Sequence, residues 1–411
     1  MRYDVVVIGG GPAGLAAAIQ ASKQCSVLLI EREAKLGGIL KQCIHDGFGV
    51  VRFGEKLSGP EYAERFIAEL NKTDVKVSLF SFVTEVKKTE HGFELVYVCQ
   101  DGVKRVECDK IILATGCRER TKNGVFIQGD RCAGVYTAGS AQNLVNNLGV
   151  LVGKRVVILG SGDIGLIMAR RLTLEGAKVI GVYEAKSTPS GLTRNIHQCL
   201  VDFDIPLHLS KTVTRVFGTD RLEMVEICDV DDKMRPIDGT QQLVECDTLV
   251  LAVGLIPENE LAKNLRVELD PKTKGAVVDQ HCQTLTDGIY ACGNALHVND
   301  LVDYVSESGE TAGAHACTPS YKRQIVPVVP HGKLLYVVPQ AVDVATSAKQ
   351  IVMYFRASEA LDNQRLTVKA GDEVVFTRNY QKLLPPEMER IQVDFSCAGQ
   401  FSAVEITLED K

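Results

Sequence analysis

Along the chain, short runs of aliphatic and β-branched residues alternate with Ala-rich or helically spaced segments. That alternation predicts parallel strands buried on both faces, with helices between them. Tyr3 to Ile8 is the first apolar run; a glycine turn, a helix predicted over Leu15 to Ser22 and a second run from Val27 to Ile30 follow. The same order recurs 151 positions later, with a strand over Arg155 to Leu159, a glycine turn, a helix over Ile164 to Leu174 and a strand over Lys178 to Tyr183. Both segments are βαβ units on one plan. Between them, Gly59 to Leu70 predicts a helix, and Val75 to Val86, Phe93 to Val98 and Val103 to Glu107 alternate like antiparallel strands. Lys110 to Gly116 and Asp247 to Gly254 each run from apolar residues into a glycine. Gly288 to Cys292 reads as a short strand and Gly309 to Ala316 as a helix start. From about Ser320 the texture changes to β-branched runs punctuated by Gly and Pro, which predicts a small all-β tail.

The fold class expected is α/β, with two Rossmann-like dinucleotide-binding domains, the second inserted into the first, and a small C-terminal all-β domain. The predicted boundaries are 1–117 and 257–320 for the first domain, 118–256 for the inserted one and 321–411 for the tail. With 45% hydrophobic and 24% charged residues, the 411-residue chain has an ordinary globular composition. Its net charge of −6 and the lack of a long basic run argue against nucleic acid as a partner. No apolar run is long enough to span a membrane. The first twenty residues imitate a secretion signal, but glycines and Pro12 interrupt them, so a strand and helix are expected there instead. Thirteen cysteines occur without a C-x-x-C pair or other metal-ligand spacing. They predict no metal site, and mostly buried free thiols in a cytoplasmic protein.

Gly9, Gly11 and Gly14, with Pro12 and Ala13 between them, form a G-x-G-x-x-G that leaves a buried strand and opens a helix. In that context the glycines serve a tight turn, close approach of backbone to a pyrophosphate, and helix-on-strand packing. Glu31, followed by Arg32, ends the second strand 22 residues after Gly9, where a carboxylate accepts hydrogen bonds from ribose hydroxyls. The alternative is a glycine-rich turn with a surface Glu. The second copy has Gly160, Gly162, Asp163, Ile164 and Gly165, with Glu184 closing its strand. A carboxylate there repels a ribose 2′-phosphate and favours NAD(H), a preference that Lys186 tempers. Asp163 is expected to cap its helix.

At these residues the sequence resembles the two-dinucleotide-binding-domain flavoproteins, which include the pyridine nucleotide-disulfide oxidoreductases and thioredoxin reductase. The resemblance spans about residues 1 to 317. It implies FAD at the first site and NAD(H) at the second, with Gly37 and Gly38 along the flavin, and Ala114, Thr115 and Gly116 closing the FAD domain. Val83 is assigned to the same site. Gly293 and Asn294, within Thr286 to Asn294, look like the second FAD segment, whose last position is usually Asp. The helix near Gly309 would point its N-terminus at the flavin pyrimidine. More narrowly, GGILKQCIHDGFG and CGNALHVNDLVDYVSESGE are similar to FAD/NAD-linked dehydrogenase subunits of glycerol-3-phosphate dehydrogenase-type systems, and more distantly to subunits of opine oxidase, cyanide synthase and sarcosine oxidase.

The two cysteines that disulfide-reducing relatives carry side by side are missing. Only Cys43 follows Gly38, and no pair follows Asp163. Cys43 and His45 are the candidate catalytic residues, as a redox thiolate or an acid/base pair, against the alternative of a buried thiol and a locally bonded imidazole. His297, Asn299 and Asp300 are candidates for the flavin's exposed side, or for helix capping. Arg118, Glu119 and Arg120 read as an interdomain salt-bridge cluster. The expected function is an FAD-dependent oxidoreductase exchanging hydride between NAD(H) and flavin, as one component of a larger enzyme, relaying electrons to a dehydrogenase or iron-sulfur partner. A single-cysteine NADH oxidase or peroxidase using Cys43, and a cofactor-binding docking subunit without turnover, remain as alternatives. The small-molecule substrate is not legible.

Overall fold

A computed structural model describes residues 1–346 and 349–411. The chain divides into two compact units, one made of 1–117 with 257–411 and the other of 118–256.

The first unit is organised by strand Arg2–Ile8, whose last four residues are fully or nearly fully buried. It lies between Val27–Ile30 on one side and Gly102–Leu113 on the other, parallel to both. Lys76–Ser78 extends the sheet beyond Val27–Ile30, and Ile289–Ala291 joins parallel to the end of Gly102–Leu113. The predicted breaks at 107 and 110 do not occur: one strand of 12 residues runs through both. Its first half pairs antiparallel with Gly92–Cys99, which pairs in turn with Phe82–Thr89. The predicted strand over Val75 to Val86 is two strands, the first parallel to the central sheet and the second in this hairpin layer. The stretch that imitates a secretion signal forms Arg2–Ile8 and helix Pro12–Ala21.

Helix Val302–Ala316 begins seven residues before the predicted start, because Gly309 and Gly313 are interior packing positions. A Cβ on Gly309 would overlap the Ala13 carbonyl, and one on Gly313 the Ala17 carbonyl. Successive glycines therefore meet successive turns of Pro12–Ala21, so the two helices run parallel with their N-termini at one end and their C-termini at the other.

From Ile325 the chain forms a five-stranded and a three-stranded sheet. Met353, Phe355, Leu366, Val368, Val393, Val404 and Ile406 fill a core of their own between them. The tail is tied to the earlier residues by buried polar contacts. Arg323 pairs with the fully buried Asp279 at 3.3 Å, and Gln280 bonds the Asp343 backbone in both directions at 2.8 Å. Glu307, on the face of its helix turned to the tail, accepts from Arg390 Nε at 3.0 Å and from the Tyr354 hydroxyl.

The second unit repeats the parallel core. Arg155–Leu159 lies between Lys178–Tyr183 and Thr248–Leu251, with Leu207–His208 and Val135–Thr137 at the edges, all parallel. A four-stranded sheet accompanies it, in which Lys211–Gly218, Leu222–Asp229 and Gln242–Glu245 pair antiparallel and Gln128–Gly129 joins parallel at the edge. Among the described residues, no helix is long and apolar enough to cross a membrane.

Gly313→Val is expected to lower stability by about 1–3 kcal/mol through overpacking. Gly399→Ala, whose Cβ meets nothing within 4 Å, is expected to change little. Urea unfolding followed by circular dichroism compares the two.

Candidate functional site

Each unit carries one glycine turn, and the two turns are built alike. Gly9 and Gly160 have φ of 107° and 103°, a region costly for residues with a Cβ, and a Cβ on either would overlap the carbonyl of Ala114 or Ala252 on the neighbouring strand. Gly14 and Gly165 sit one turn into their helices, where a Cβ would strike the carbonyls of Gly9 and Gly160. These four glycines hold strand and helix together. Gly11 and Gly162 differ in kind. Each is the N-cap of its helix with no side-chain cap, and a Cβ on Gly162 meets nothing within 4 Å, while one on Gly11 meets only the Gly38 Cα at 3.9 Å. Open space in front of an uncapped helix N-terminus fits an anionic phosphate.

A buried carboxylate braces each turn. Glu31 accepts from the Gly10 amide at 2.6 Å and the Glu33 amide at 2.8 Å. Glu184 accepts from the Ser161 amide at 3.0 Å and the Lys186 amide at 3.0 Å, the same positions in the repeat. Each carboxylate retains lone pairs beyond these bonds, so both acids can also accept from a ribose. One difference between the copies adds a contact. Ser161 replaces Gly10, and its hydroxyl donates to Glu184 Oε2 at 2.6 Å and accepts from Ser190 N at 3.0 Å.

Around the first turn, Gly37 donates to the Gly10 carbonyl at 2.8 Å, and a Cβ on Gly38 would press on the Gly11 Cα. Gly293 approaches from the far end of the sequence, where a Cβ would meet Ala13 and Val305, and its amide donates to Ser308 Oγ at 2.9 Å. The structure thus brings Gly9, Gly11, Pro12, Ala13, Gly14, Glu31, Gly37, Gly38, Ala114 and Gly293 together. Asn294 follows, its Oδ1 accepting from the Asn299 amide at 3.1 Å. Thr115 Oγ1 donates to the Glu258 carbonyl at 2.6 Å, and the Gly116 carbonyl accepts from the Glu258 amide at 2.9 Å. Arg32 is exposed, and Val83 is buried in the hydrophobic core. Because the true helix start is at Val302, the N-terminus beside this site belongs to Val302 and Asp303, and Asp303 accepts from the Arg52 amide at 3.2 Å.

Other candidates land differently. Asp163 does not cap its helix. It occupies the first helical position, and its Oδ1 accepts from Leu192 N at 2.9 Å and Asn195 Nδ2 at 2.7 Å, pinning the 192–195 segment; Ile164 beside it is exposed. Glu119 accepts from the Gly139 amide at 2.8 Å in the first turn of helix Ala138–Asn146, where its charge favours the positive helix end. Cys43 donates to the Ile39 carbonyl at 3.4 Å, and burial pushes its thiol up to about 12. It is therefore neutral at pH 7, the opposite of what a thiolate nucleophile needs. His45 lies against Phe48, ring centres 5.0 Å apart, and its Nδ1 pairs with the Asp46 carbonyl at 3.1 Å.

His297 is 2% exposed, with rings of Tyr336 and Tyr354 from the β tail at 6.1 and 5.5 Å and no partner for Nδ1 among the described residues. Asp300 pairs with Arg356, which also donates to the Tyr336 hydroxyl at 2.9 Å. Sequence reading missed Arg356, Tyr336 and Tyr354, because no local spacing links a β-rich tail to a segment tens of residues earlier.

Two glycine-turn cradles with buried acids, in two parallel-sheet units, define a protein with two dinucleotide-binding folds. The chain belongs to the pyridine nucleotide-disulphide oxidoreductase family, whose profile matches residues 3–316. Members of this family are flavin-dependent NAD(P)H oxidoreductases that bind FAD and NAD(P)H. Hydrogen cyanide synthase subunit HcnB of Pseudomonas protegens is 30% identical over 295 residues, covering 65% of this chain and 60% of that protein. An opine oxidase subunit of Agrobacterium tumefaciens is 24% identical over 316 residues, covering 72% of this chain and 62% of that protein. The chain thus spans less than two thirds of the length of either relative. In fold it is similar to thioredoxin reductase of T. acidophilum, with a TM-score of 0.62 and 24% identity over 77% of this chain and 98% of that one.

Burial pushes the His297 imidazole down to about 3, helped by Arg356, and the His315 imidazole down to about 4, helped by His281. Both are depressed below the usual 6.5, so the unfolded chain takes up protons first. Their contribution to stability is complete above pH 6.5 and is lost as pH falls from there toward 4 and then 3. His297→Leu is expected to flatten that acid decline, read from thermal midpoints at stepped pH.

Proposed function

We propose that the chain is an FAD-dependent oxidoreductase that passes hydride between NAD(H) and flavin, and that it relays electrons to a protein partner within a larger dehydrogenase. The observation that carries this reading is the matched pair of cradles: Glu31 on the Gly10 amide in the first unit and Glu184 on the Ser161 amide in the second. FAD supplies hydride chemistry that side chains lack. The chain's residues bind and orient. The uncapped helix starts at Gly11 and Gly162 receive pyrophosphate, Glu31 and Glu184 hold the adenosine riboses, and Gly293 with Asn294 closes the first site. On this reading 1–117 and 257–320 bind FAD, 118–256 binds NAD(H) and 321–411 serves docking.

NAD(H) is favoured over NADP(H) because Glu184, braced by two backbone amides, stands where a 2′-phosphate would place like charge. A partner is supported by relatives that are themselves named subunits. Cys43, held as a neutral thiol, gives the single-cysteine peroxidase reading no support. No disulfide joins the thirteen cysteines among the described residues, which fits a reducing compartment such as the cytoplasm.

Anaerobic stopped-flow absorbance tests the proposal. NADH is expected to bleach the visible flavin band of the purified protein, and NADPH to do so far more slowly. Bound FAD that NADH leaves oxidised would overturn hydride exchange and favour a docking role without turnover. Glu184→Ala is expected to raise the Kd for NADH about tenfold or more, the scale of a lost charged hydrogen bond, with FAD content unchanged.

A further inference from the structure

Cys25 lies in the turn after helix Pro12–Ala21, and Cys317 caps the C-terminus of helix Val302–Ala316. No local motif pairs them, and the sequence reading found no dithiol. The parallel packing of the two helices carries both cysteines to the same end. The Ala21 carbonyl accepts from the Cys25 amide at 3.0 Å and from Cys317 Sγ at 3.2 Å, which brings the two residues together at one atom, and the two thiols interact electrostatically. Both are partly exposed and rest against the core of the first unit.

Lys110 is the third member of the group. It reaches from the central sheet, its Nζ donates to the Thr318 carbonyl at 2.5 Å, and its ammonium interacts with both sulfurs. Lys110 thus sets a basic group beside the thiol pair. The Cys317 thiol is engaged by the Ala21 carbonyl, and burial raises it, so the attacking sulfur in the proposal is that of Cys25. Helix Pro12–Ala21 separates the pair from the first glycine turn by roughly 15 Å, ten residues at about 1.5 Å each, so the pair stands apart from the nucleotide cradle.

We propose that Cys25 and Cys317 form a redox-active dithiol that closes to a disulfide by exchange with a low-molecular-weight disulfide such as oxidised glutathione. Cys25 loses its proton to solvent, and its sulfur attacks one sulfur of the small disulfide. The S–S bond breaks, a mixed disulfide forms, and the departing thiolate takes up a proton. Cys317 then loses its proton, attacks the Cys25 sulfur and expels the second small thiol. Two protein thiols are oxidised and one small disulfide is reduced to two thiols. The new bond ties the C-terminal ends of the two helices together at the point where the chain leaves for the β tail.

The test uses the full chain, incubated anaerobically with oxidised glutathione, quenched in acid, alkylated and digested for mass spectrometry. The expected result is a Cys25–Cys317 cross-linked peptide, with the other eleven cysteines alkylated as in the untreated protein, and a raised thermal midpoint that dithiothreitol reverses. Cys317→Ser is expected to stop the cross-link and trap glutathione on Cys25. Alkylated Cys25 and Cys317 after treatment, or glutathione resting separately on each in the native sequence, would sink the proposal. So would a cross-link to a different cysteine. The wild-type peptide map decides the matter without any variant, so a failure of Cys317→Ser to fold does not shelter the idea.

Discussion

The backbone-to-backbone packing of Pro12–Ala21 against Val302–Ala316 is the constraint on which the first unit depends. Gly309 and Gly313 let the second helix lie directly on the Ala13 and Ala17 carbonyls, at a separation no side chain allows. That contact joins segments nearly three hundred positions apart and fixes their direction. At one end it sets Gly293 beside Ala13 and so completes the first cradle from two distant pieces of sequence. At the other it places the Ala21 carbonyl between Cys25 and Cys317. One close approach therefore positions both the nucleotide site and the thiol pair.

The buried glutamates solve a local electrostatic problem. A turn that exposes amides to an anion must not collapse when the anion is away, and a carboxylate that accepts from the turn and from the residue two positions after itself braces it. Glu31 and Glu184 do this with matching bonds. Ser161 adds a hydroxyl bridge between Glu184 and Ser190 that Gly10 cannot make, so the second turn is tied to one more loop than the first.

What the sequence made legible was whatever is local and periodic. The apolar strands, the two glycine turns and the acids that close the following strands all lie within one short βαβ stretch in each copy, and their physics is written in spacing. Helix Gly59–Leu70 was legible for the same reason, and the structure adds a reciprocal capping box between Ser58 and Glu61 at its start. The start of Val302–Ala316 was not, since Gly309 and Gly313 look like helix breakers unless the partner backbone is known. Asp163 looked like a cap and instead holds Leu192 and Asn195, well beyond its own helix. Cys25 and Cys317, and the Tyr336, Tyr354 and Arg356 surroundings of His297, arise only from tertiary packing and leave no trace in any window of sequence.

The buried ion pair between Asp279 and Arg323 bears on where the polypeptide tolerates interruption. Asp279 is fully enclosed, and even with Arg323 beside it burial lifts its carboxyl to about 6. A chain ending near residue 320, where the amino-acid texture changes, would strip away that guanidinium and leave a carboxylate in the interior with its charge uncompensated. The Glu307 carboxylate would lose Arg390 and Tyr354 in the same stroke. The visible change of style along the sequence is thus a change of architecture and not a dotted line for cutting.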